Sequence, residues 1–265
     1  MFTNAIVRPP AANFAKGLTT QNLGAPDYAR ALKQHAAYCD ALEQCGLRLT
    51  RLEADERYPD STFVEDTAVI VPALPGYQAG ASCVILTRPG APGRVEEVNG
   101  VAGSLSRFFP ELHSIREPGT LDGGDVCEAE DHFFIGISRR TNEAGAQQLA
   151  KLLAEYAYTS TFIEIRNVKN ILHLKSGLAY LGDNRLAVID ALANHEEFRR
   201  YDCVRVSATE QYAANCVRIN EYVLVSAGFP VFEKALQHLG YKTFSVEITE
   251  FQKMDGGLSC LSLRF

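Results

Sequence analysis

Cys260 is the residue of this sequence best suited to act as a nucleophile. It follows an Asp-Gly-Gly-Leu-Ser segment and precedes an alternating Leu-Ser-Leu-Arg-Phe run. If that run is a strand, Leu261 and Leu263 share one face, and Cys260 shares the other face with Ser262 and Arg264. A thiol reacts only where its neighbours favour the thiolate, so this placement is compatible with a reactive cysteine. The alternative is an inert, structural thiol.

His173 is the best candidate among the six histidines for moving a proton. It lies in the apolar segment Ile-Leu-His-Leu, where a histidine more often belongs to the core. A cysteine, a histidine and an acid from distant positions can serve as nucleophile, proton carrier and orienting group. The pairing of His173 with Cys260 therefore favours a covalent mechanism.

Two acidic clusters could supply the carboxylate. The first contains Asp60, Glu65 and Asp66 just before an apolar run, and in an extended segment the last two would point to opposite sides. The second is Asp122-Gly-Gly-Asp125, in which paired glycines let the backbone bend tightly while both acids are displayed. Each cluster could instead be an ordinary solvated turn. Neither matches an EF-hand calcium loop or a glycine-rich phosphate loop.

Short apolar runs alternate with helical patterns along the whole sequence. Buried strands are predicted around Ala5, Ala68 to Val71, Cys83 to Leu86, His132 to Ile135, Arg185 to Ile189 and Glu221 to Val225. Helices are predicted from Tyr28 to Cys45, Asn142 to Tyr156 and Pro230 to Leu239. Arginines recur just beyond strand-like runs, and equivalent strand ends would bring them to one face. The pattern predicts one α/β domain over residues 1–265, built either as an open sheet or as a closed, radially repeated assembly.

The composition limits the class of partner. The 265 residues are 46% hydrophobic, and 26 basic against 32 acidic residues give a formal net charge of -6 without a Lys/Arg block. Nucleic-acid and membrane partners are therefore not expected. The expected partner is a small molecule or a protein. The N-terminal segment does not resemble a signal peptide, and no apolar stretch is long enough to span a membrane. Seven scattered cysteines without a Cys-x-x-Cys pair predict that most are free thiols, as in a cytoplasmic protein.

Six motifs, in this order, resemble those of the dimethylarginine dimethylaminohydrolases, members of the guanidino-group-modifying (amidinotransferase) superfamily. The resemblance runs from about Arg8 to Phe265. The motifs are Phe63-Val-Glu-Asp66, Leu121-Asp-Gly-Gly-Asp125, Ser138-Arg-Arg-Thr-Asn142, Leu172-His-Leu-Lys-Ser176, Ala213-Ala-Asn-Cys216 and Asp255-Gly-Gly-Leu-Ser-Cys260.

The resemblance implies an α/β fold, the five-bladed β/α propeller (pentein) of pseudo-repeated strand-helix units around a central pocket. It implies that Cys260 is the nucleophile, His173 the general acid and base, and Asp122 the group that orients His173. Relatives differ between Asp and Glu at Asp122, so Asp125 is an alternative for that role. The implied substrate-binding residues are Leu18, Asp60, Glu65, Asp66, Arg88, Arg140 and Met254. Among these, Asp66 would hold the guanidinium, Arg88 and Arg140 the substrate carboxylate, and Leu18, Asp60 and Met254 the α-amino end.

The expected reaction is hydrolysis of methylated arginine to citrulline and dimethylamine or methylamine, without a metal or organic cofactor. A zinc ion captured by the Cys/His/Asp set would inhibit it. The first alternative is another hydrolase of the superfamily, acting on arginine, agmatine or citrulline. The second is a non-catalytic binder of arginine-like cations or of a metal, with Cys260 structural. The sequence leaves the oligomeric state open, with a homodimer among the options.

Overall fold

Five three-stranded sheets repeat one pairing pattern in the part of the chain that the computed structural model describes, residues 1–74 and 82–265. The strands in chain order are β1 (Asn4–Val7), β2 (Arg48–Arg51), β3 (Ala68–Val71), β4 (Cys83–Leu86), β5 (Leu112–Ser114), β6 (Val126–Ala129), β7 (His132–Ile137), β8 (Thr159–Glu164), β9 (Leu178–Gly182), β10 (Arg185–Ile189), β11 (Asp202–Val206), β12 (Val217–Ile219), β13 (Tyr222–Ser226), β14 (Lys242–Val246) and β15 (Ser262–Arg264). The helices are α1 (Tyr28–Gln44), α2 (Asn99–Leu105), α3 (Glu143–Glu155), α4 (Pro230–His238) and α5 (Thr249–Gln252).

Each sheet has a middle strand that is antiparallel to one neighbour and parallel to the other. The sheets are β15-β1-β2, β3-β4-β5, β6-β7-β8, β9-β10-β11 and β12-β13-β14. In four of them the antiparallel partners follow one another along the chain. In the first sheet β1 pairs with β15, with Ile6 opposite Leu263, and the Phe265 carbonyl accepts from Thr3 N and Asn4 N at 2.8 and 2.7 Å.

The described residues divide into two compact units. The first unit comprises Met1–Phe63 and Ser176–Phe265, and the second unit comprises Val64–Lys175. The sheets centred on β1, β10 and β13 belong to the first unit, and those centred on β4 and β7 belong to the second. The single catalytic domain over residues 1–265 stays a prediction from the sequence.

An aromatic cluster forms the core of the first unit. Phe14, Tyr38 and Phe251 are fully buried, and the rings of Phe14 and Phe251 lie 5.4 Å apart. Helix α1 packs its apolar side into this cluster, and its first turn is capped by Asp27, which accepts from Arg30 N at 2.9 Å.

The core of the second unit is aliphatic and aromatic and lies around β7. All six residues of β7 are buried, so both faces of this strand are covered. Phe133 and Ile135 share a cluster with Leu149 and Leu153, which lie one helical turn apart on α3. Asn142 caps α3 by accepting from the N–H group of its first turn at 2.8 Å.

The predicted elements are confirmed except at two places. Helices begin at Tyr28, after the cap Asn142, and at Pro230, as the patterns indicated. The strand predicted through Cys260 is wrong there, because residues 259–261 form a 3-10 helix and β15 begins only at Ser262. The extended segment predicted for Glu65 and Asp66 is also wrong. Residues 64–67 form a 3-10 helix that precedes β3.

None of the described helices is both long and apolar enough to cross a membrane.

Candidate active site

The Asp-Gly-Gly-Asp turn of the second unit is buried against two other segments. Gly123 and Gly124 adopt a 3-10 conformation rather than a left-handed one. A Cβ atom at Gly124 would lie 2.7 Å from His173 Nδ1, and one at Gly123 would lie 2.0 Å from the Glu65 carbonyl oxygen. The glycines are therefore needed for close packing, and not for the sharp backbone bend expected from the sequence.

His173 is surrounded by carboxylates. Its Nε2 atom lies 2.9 Å from Asp122 Oδ2, and its Nδ1 atom lies 4.0 Å from Asp66 Oδ1. Burial by itself would lower the pKa of His173, but the charges of Asp66, Asp125 and Asp122 outweigh it and raise that pKa to about 9. His173 is therefore an imidazolium at neutral pH, with two N–H groups to donate.

The two acids of the turn have different partners. Asp125 Oδ2 accepts from the hydroxyls of Ser138 and Thr141 at 2.6 and 2.7 Å. Asp125 Oδ1 accepts from Leu174 N at 3.0 Å, so this carboxylate holds the backbone next to the histidine. Asp122 is the acid that contacts the ring itself. The geometry thus favours Asp122 over Asp125 as the orienting carboxylate.

The protonation of these two acids also differs. Burial tends to raise the pKa of Asp122, but the hydrogen bond and charge of His173, with help from Arg94, lower it. Burial raises the pKa of Asp125 to about 6, although His173 and the neighbouring hydroxyls act in the opposite direction. Asp122 therefore remains a carboxylate at lower pH than Asp125 does.

Glu65 and Asp66 are buried, so the alternative of a solvated turn is wrong. They are 3% and 2% exposed, and their different partners reflect successive positions of a 3-10 helix. Asp66 Oδ1 accepts from Gly124 N at 3.0 Å. Glu65 Oε1 accepts from Lys175 Nζ at 2.6 Å. Each carboxylate is thus held by a hydrogen bond from another segment of the second unit.

Arg94 binds the other oxygen of Asp66, and sequence reasoning missed it. Its Nη1 donates to Asp66 Oδ2 at 2.6 Å, and its Nε and Nη2 donate to Glu97 at 3.1 and 2.9 Å. Arg94 and Glu97 are both buried and lie on the 3-10 helix Pro92–Val98. An Arg and a Glu three positions apart were a readable signal for such a pair.

Arg88 and Arg140 follow β4 and β7, and their backbones belong to the same group of loops in the second unit. The Arg88 carbonyl accepts from Leu121 N at 2.8 Å, and Gly90 N donates to Asp122 Oδ1 at 2.7 Å. A Cβ at Gly90 would lie 2.1 Å from the Arg140 carbonyl oxygen. The side chain of Arg88 also pairs with the exposed Glu117, Nη2 to Oε1 at 2.5 Å. The loop backbones that carry these two strand-end arginines therefore lie close together, whereas Arg8, which follows β1, belongs to the first unit.

Cys260 lies in the first unit, in the 3-10 helix 259–261 and within the apolar cluster of that unit. It is 9% exposed, and Gly257 N donates to its Sγ atom at 3.4 Å. The polar strand face expected for the thiol is therefore absent, and a backbone N–H group contacts the sulfur instead. An N–H donor stabilises negative charge on the sulfur, whereas apolar burial opposes it.

Asn215 holds the turn that carries Cys260. Its Oδ1 accepts from Ser259 N at 2.9 Å, and its Nδ2 donates to Ser259 Oγ at 3.1 Å. A Cβ at Gly257 would lie 2.4 Å from the Asn215 side chain. These contacts account for the asparagine of the Ala-Ala-Asn-Cys motif, to which the sequence reasoning assigned no role.

Leu18, Asp60 and Met254 meet in the first unit. Both oxygens of Asp60 accept from Leu18 N at 3.1 Å, and a Cβ at Gly17 would lie 2.3 Å from Asp60 Oδ1 and 3.2 Å from Met254 Cε. Asp60 and Met254 are buried, while Leu18 is 48% exposed. The three residues predicted to hold an α-amino group are thus neighbours.

Asp66, Asp122 and His173 could also hold a metal ion. One ligand atom from each lies within 4.8 Å of the others. Two carboxylates and an imidazole suit zinc and other divalent transition metals.

No disulfide joins any cysteine of the described chain, so the seven cysteines, all described, are confirmed as thiols.

Known proteins resemble this chain over its whole length. The arginine deiminase family model matches residues 108–223. The dimethylarginine dimethylaminohydrolase of Pseudomonas aeruginosa is 41% identical over 266 residues, which cover 100% of both chains. The chain belongs to the dimethylarginine dimethylaminohydrolase family. The family member of Streptomyces coelicolor is 33% identical, over 98% of this chain and 96% of its own.

Solved structures of the family show the same fold. A dimethylarginine dimethylaminohydrolase variant from Pseudomonas aeruginosa in complex with citrulline, 40% identical, covers 100% of both chains with a TM-score of 0.92. A second family structure, an adduct with S-methyl-L-thiocitrulline, has the same identity, coverage and TM-score. The N-terminal domain of a cyanobacterial arginine dihydrolase is 17% identical, covers 98% of this chain and 96% of its own, and has a TM-score of 0.85. The predicted five-bladed β/α propeller (pentein) fold is confirmed, and its repeat is the five-fold sheet pattern described above.

Proposed function

We propose that this protein hydrolyses N-omega-methylated arginines to citrulline and dimethylamine or methylamine. It would be a hydrolase acting on C–N bonds of linear amidines. The observation that carries the proposal is the buried group of His173, Asp122 and Asp66, which combines a charged proton donor with carboxylates. Full-length identity to enzymes named for this reaction supports it, as does the citrulline complex of a relative.

The guanidinium carbon is a poor electrophile, because three nitrogens share its positive charge. We propose that the Cys260 thiolate attacks this carbon, forming a C–S bond and a tetrahedral adduct. His173 gives its proton to the methylated nitrogen, the C–N bond breaks, and dimethylamine or methylamine leaves. The substrate remains bound to the sulfur as a thiouronium.

The second half of the reaction returns the enzyme to its starting state. Neutral His173 takes a proton from water, whose oxygen attacks the same carbon. The C–S bond then breaks, the remaining hydroxyl proton passes to solvent, citrulline is released, and the electron pair of the C–S bond restores the Cys260 thiolate. The proton on His173 is ready for the next leaving amine, so the cycle consumes one water.

The other side chains bind and orient in this proposal. Asp122 fixes the ring of His173, as its contact with Nε2 supports. Asp66 attracts the substrate guanidinium by charge-assisted hydrogen bonds, and a carboxylate with two oxygens can accept from the substrate as well as from the protein. Glu65 lies beside it and is held by Lys175.

The amino-acid end of the substrate would be held by two further groups. Arg88 and Arg140 bind its carboxylate, since guanidinium groups make paired hydrogen bonds to carboxylates. Leu18, Asp60 and Met254 hold its α-amino group. Their mutual contacts in the first unit support a common task.

A divalent metal would be an inhibitor in this mechanism. Zinc bound to Asp66, Asp122 and His173 would take the imidazole nitrogen that carries the proton, and no step of the hydrolysis needs a metal. Added zinc should lower the rate, and a chelator should restore it.

Another hydrolase of the superfamily is the second candidate, because the arginine deiminase family model matches residues 108–223. The two functions are separated by supplying dimethylarginine, monomethylarginine, arginine, agmatine and citrulline side by side. Mass spectrometry would measure citrulline, and the released amine or ammonia would be measured separately. Turnover of methylated arginines supports the proposal. Turnover of arginine, agmatine or citrulline alone would replace it, and stoichiometric binding without turnover would indicate a binding protein.

We propose that the protein works in the cytoplasm on a small-molecule substrate. Seven thiols without a disulfide support a reducing compartment. A homodimer, and the lack of nucleic-acid and membrane partners, stay predictions. Light scattering of the purified protein would determine its oligomeric state.

A further inference from the structure

Arg94 creates an electrostatic problem for the Asp66 carboxylate. Asp66 would attract a substrate cation, yet Asp66 Oδ2 already accepts from the Arg94 guanidinium at 2.6 Å. Both side chains are buried, at 7% and 3% exposed, so solvent screens their charges little. An isolated Arg94 charge would cancel Asp66 and repel a second guanidinium placed next to it.

Glu97 removes this difficulty. Its side chain is 1% exposed, and its two oxygens accept from Arg94 Nε and Nη2. Glu97 neutralises Arg94 through one edge of the guanidinium, while the other edge holds Asp66. The three groups together carry one negative charge. Asp66 accepts from Arg94 through Oδ2 and from Gly124 N through Oδ1.

We propose that Glu97 is a specificity-determining residue: by neutralising Arg94, it keeps Asp66 selective for a cationic guanidinium over a neutral ureido group. The proposal rests on the proposed function, since it concerns the discrimination between a methylated arginine and citrulline. Glu97 acts through Arg94 and is therefore a positioning residue. The same charge balance would help a neutral product leave after a cationic substrate has reacted.

The test compares the KM for dimethylarginine with the inhibition constant of citrulline. Glu97→Gln keeps the size of the side chain and removes its charge. We expect it to raise the KM for dimethylarginine about tenfold, as expected for one unscreened charge nearby. The citrulline constant should change less than about twofold, because its ureido group carries no charge. A purely structural role would weaken both ligands equally.

Two further variants separate charge from shape and from folding. Glu97→Asp keeps the charge and shortens the side chain, so the ratio of the two constants should stay close to that of the wild type. The double variant Arg94→Gln/Glu97→Gln removes both charges together, and it should restore the ratio that Glu97→Gln loses. Removing one member of a buried ion pair is strongly destabilising because the other charge stays unpaired, whereas the double variant leaves neither residue 94 nor residue 97 charged. Asp66 then keeps its hydrogen bond from Gly124 N. The double variant therefore serves as the test if Glu97→Gln does not fold.

Equal changes in both constants for Glu97→Gln, or no change in either, would overturn the proposal. A double variant that folds but loses the discrimination would also overturn it. A wild-type protein that releases no citrulline from dimethylarginine would instead contradict the proposed function. Circular dichroism and thermal unfolding of each variant show which proteins are folded.

Discussion

The two units of the molecule surround the two side chains that we propose to react, His173 and Cys260, in opposite ways. The second unit buries His173 among acids, each of which has a charged or hydrogen-bonding partner. The first unit places Cys260 in an apolar cluster, where a backbone N–H contacts the sulfur. An imidazole needs nearby negative charge to stay protonated at neutral pH. Several carboxylates next to a thiol would instead keep it protonated and unreactive. The difference teaches that, in the proposed mechanism, negative charge keeps the acid protonated, whereas the thiolate depends on the N–H contact that offsets its apolar surroundings.

The substitution Cys260→Ser tests the role proposed for the first unit and should have the largest effect. We expect citrulline formation to fall by roughly a thousandfold or more, because a serine hydroxyl is a far weaker nucleophile than a thiolate. The protein should remain folded, since serine fits the space of cysteine. Citrulline release and thermal unfolding are the measurements. Cys203→Ser, a cysteine of the same unit, is the matched control, and equal losses in both would reject Cys260 as the nucleophile.

Asp122→Asn tests which acid of the turn orients His173. It should lower kcat by roughly a hundredfold or more, because an amide neither stabilises the imidazolium nor fixes its ring as a carboxylate does. Asp125→Asn is the matched variant and should mainly lower the thermal unfolding midpoint, since Asp125 accepts from two hydroxyls and the Leu174 N–H. If Asp125→Asn lost more activity than Asp122→Asn, the assignment would be reversed.

Gly124→Ala sharpens the comparison by disturbing the second unit alone. The added Cβ would lie 2.7 Å from His173 Nδ1 and 2.9 Å from Asp66 Oδ1, so the ring or the turn must shift. We expect about a tenfold loss of kcat and a destabilisation of about 1–3 kcal/mol. Gly93→Ala has no atom within 4 Å of its new Cβ and should leave both quantities unchanged. Similar results for the two variants would show that the packing around Gly124 is not restrictive.

The smallest expected effect is a pH dependence. The pKa of His173 lies at about 9, above its ordinary value of 6.5, so kcat should fall as the pH rises through about 9 and the imidazolium is lost. The same raised pKa adds to the free energy of unfolding. That contribution is complete below pH 6.5 and is lost as the pH rises through about 9. Rates and urea unfolding measured between pH 6 and 10 would check both, and a kcat that stays constant to pH 10 would contradict the proton-donor role.

Local patterns predicted most of the fold. The apolar run Ala68 to Val71 became β3 over the same residues, and the Asn142 cap began α3. These features depend on neighbours in sequence. The 3-10 helix around Cys260 could not be predicted in this way, because bonds from Asn215, 44 residues away, hold Ser259.

The candidate site likewise combines features that the local sequence predicts with features that depend on distant partners. The motifs identified His173, Asp122 and Asp66, and the structure brings these three together. The burial of Asp66 could not be read from an acidic segment, since acids are usually solvated and its partner Arg94 lies 28 residues away. Partners distant in sequence decide whether a charged cluster is a surface turn or part of a buried network.

The pairing of β1 with β15 also predicts an order of folding. Ile6 and Leu263 are partners across nearly the whole chain, whereas the other antiparallel pairs join strands consecutive in sequence. Long loops cost more entropy to close, and distant contacts form slowly. We expect the first sheet to be the last to acquire protection in pulsed hydrogen exchange. Cys260, just before β15, would then be seated only after the second unit has folded, so a partly folded chain would have the charged histidine but no positioned thiol.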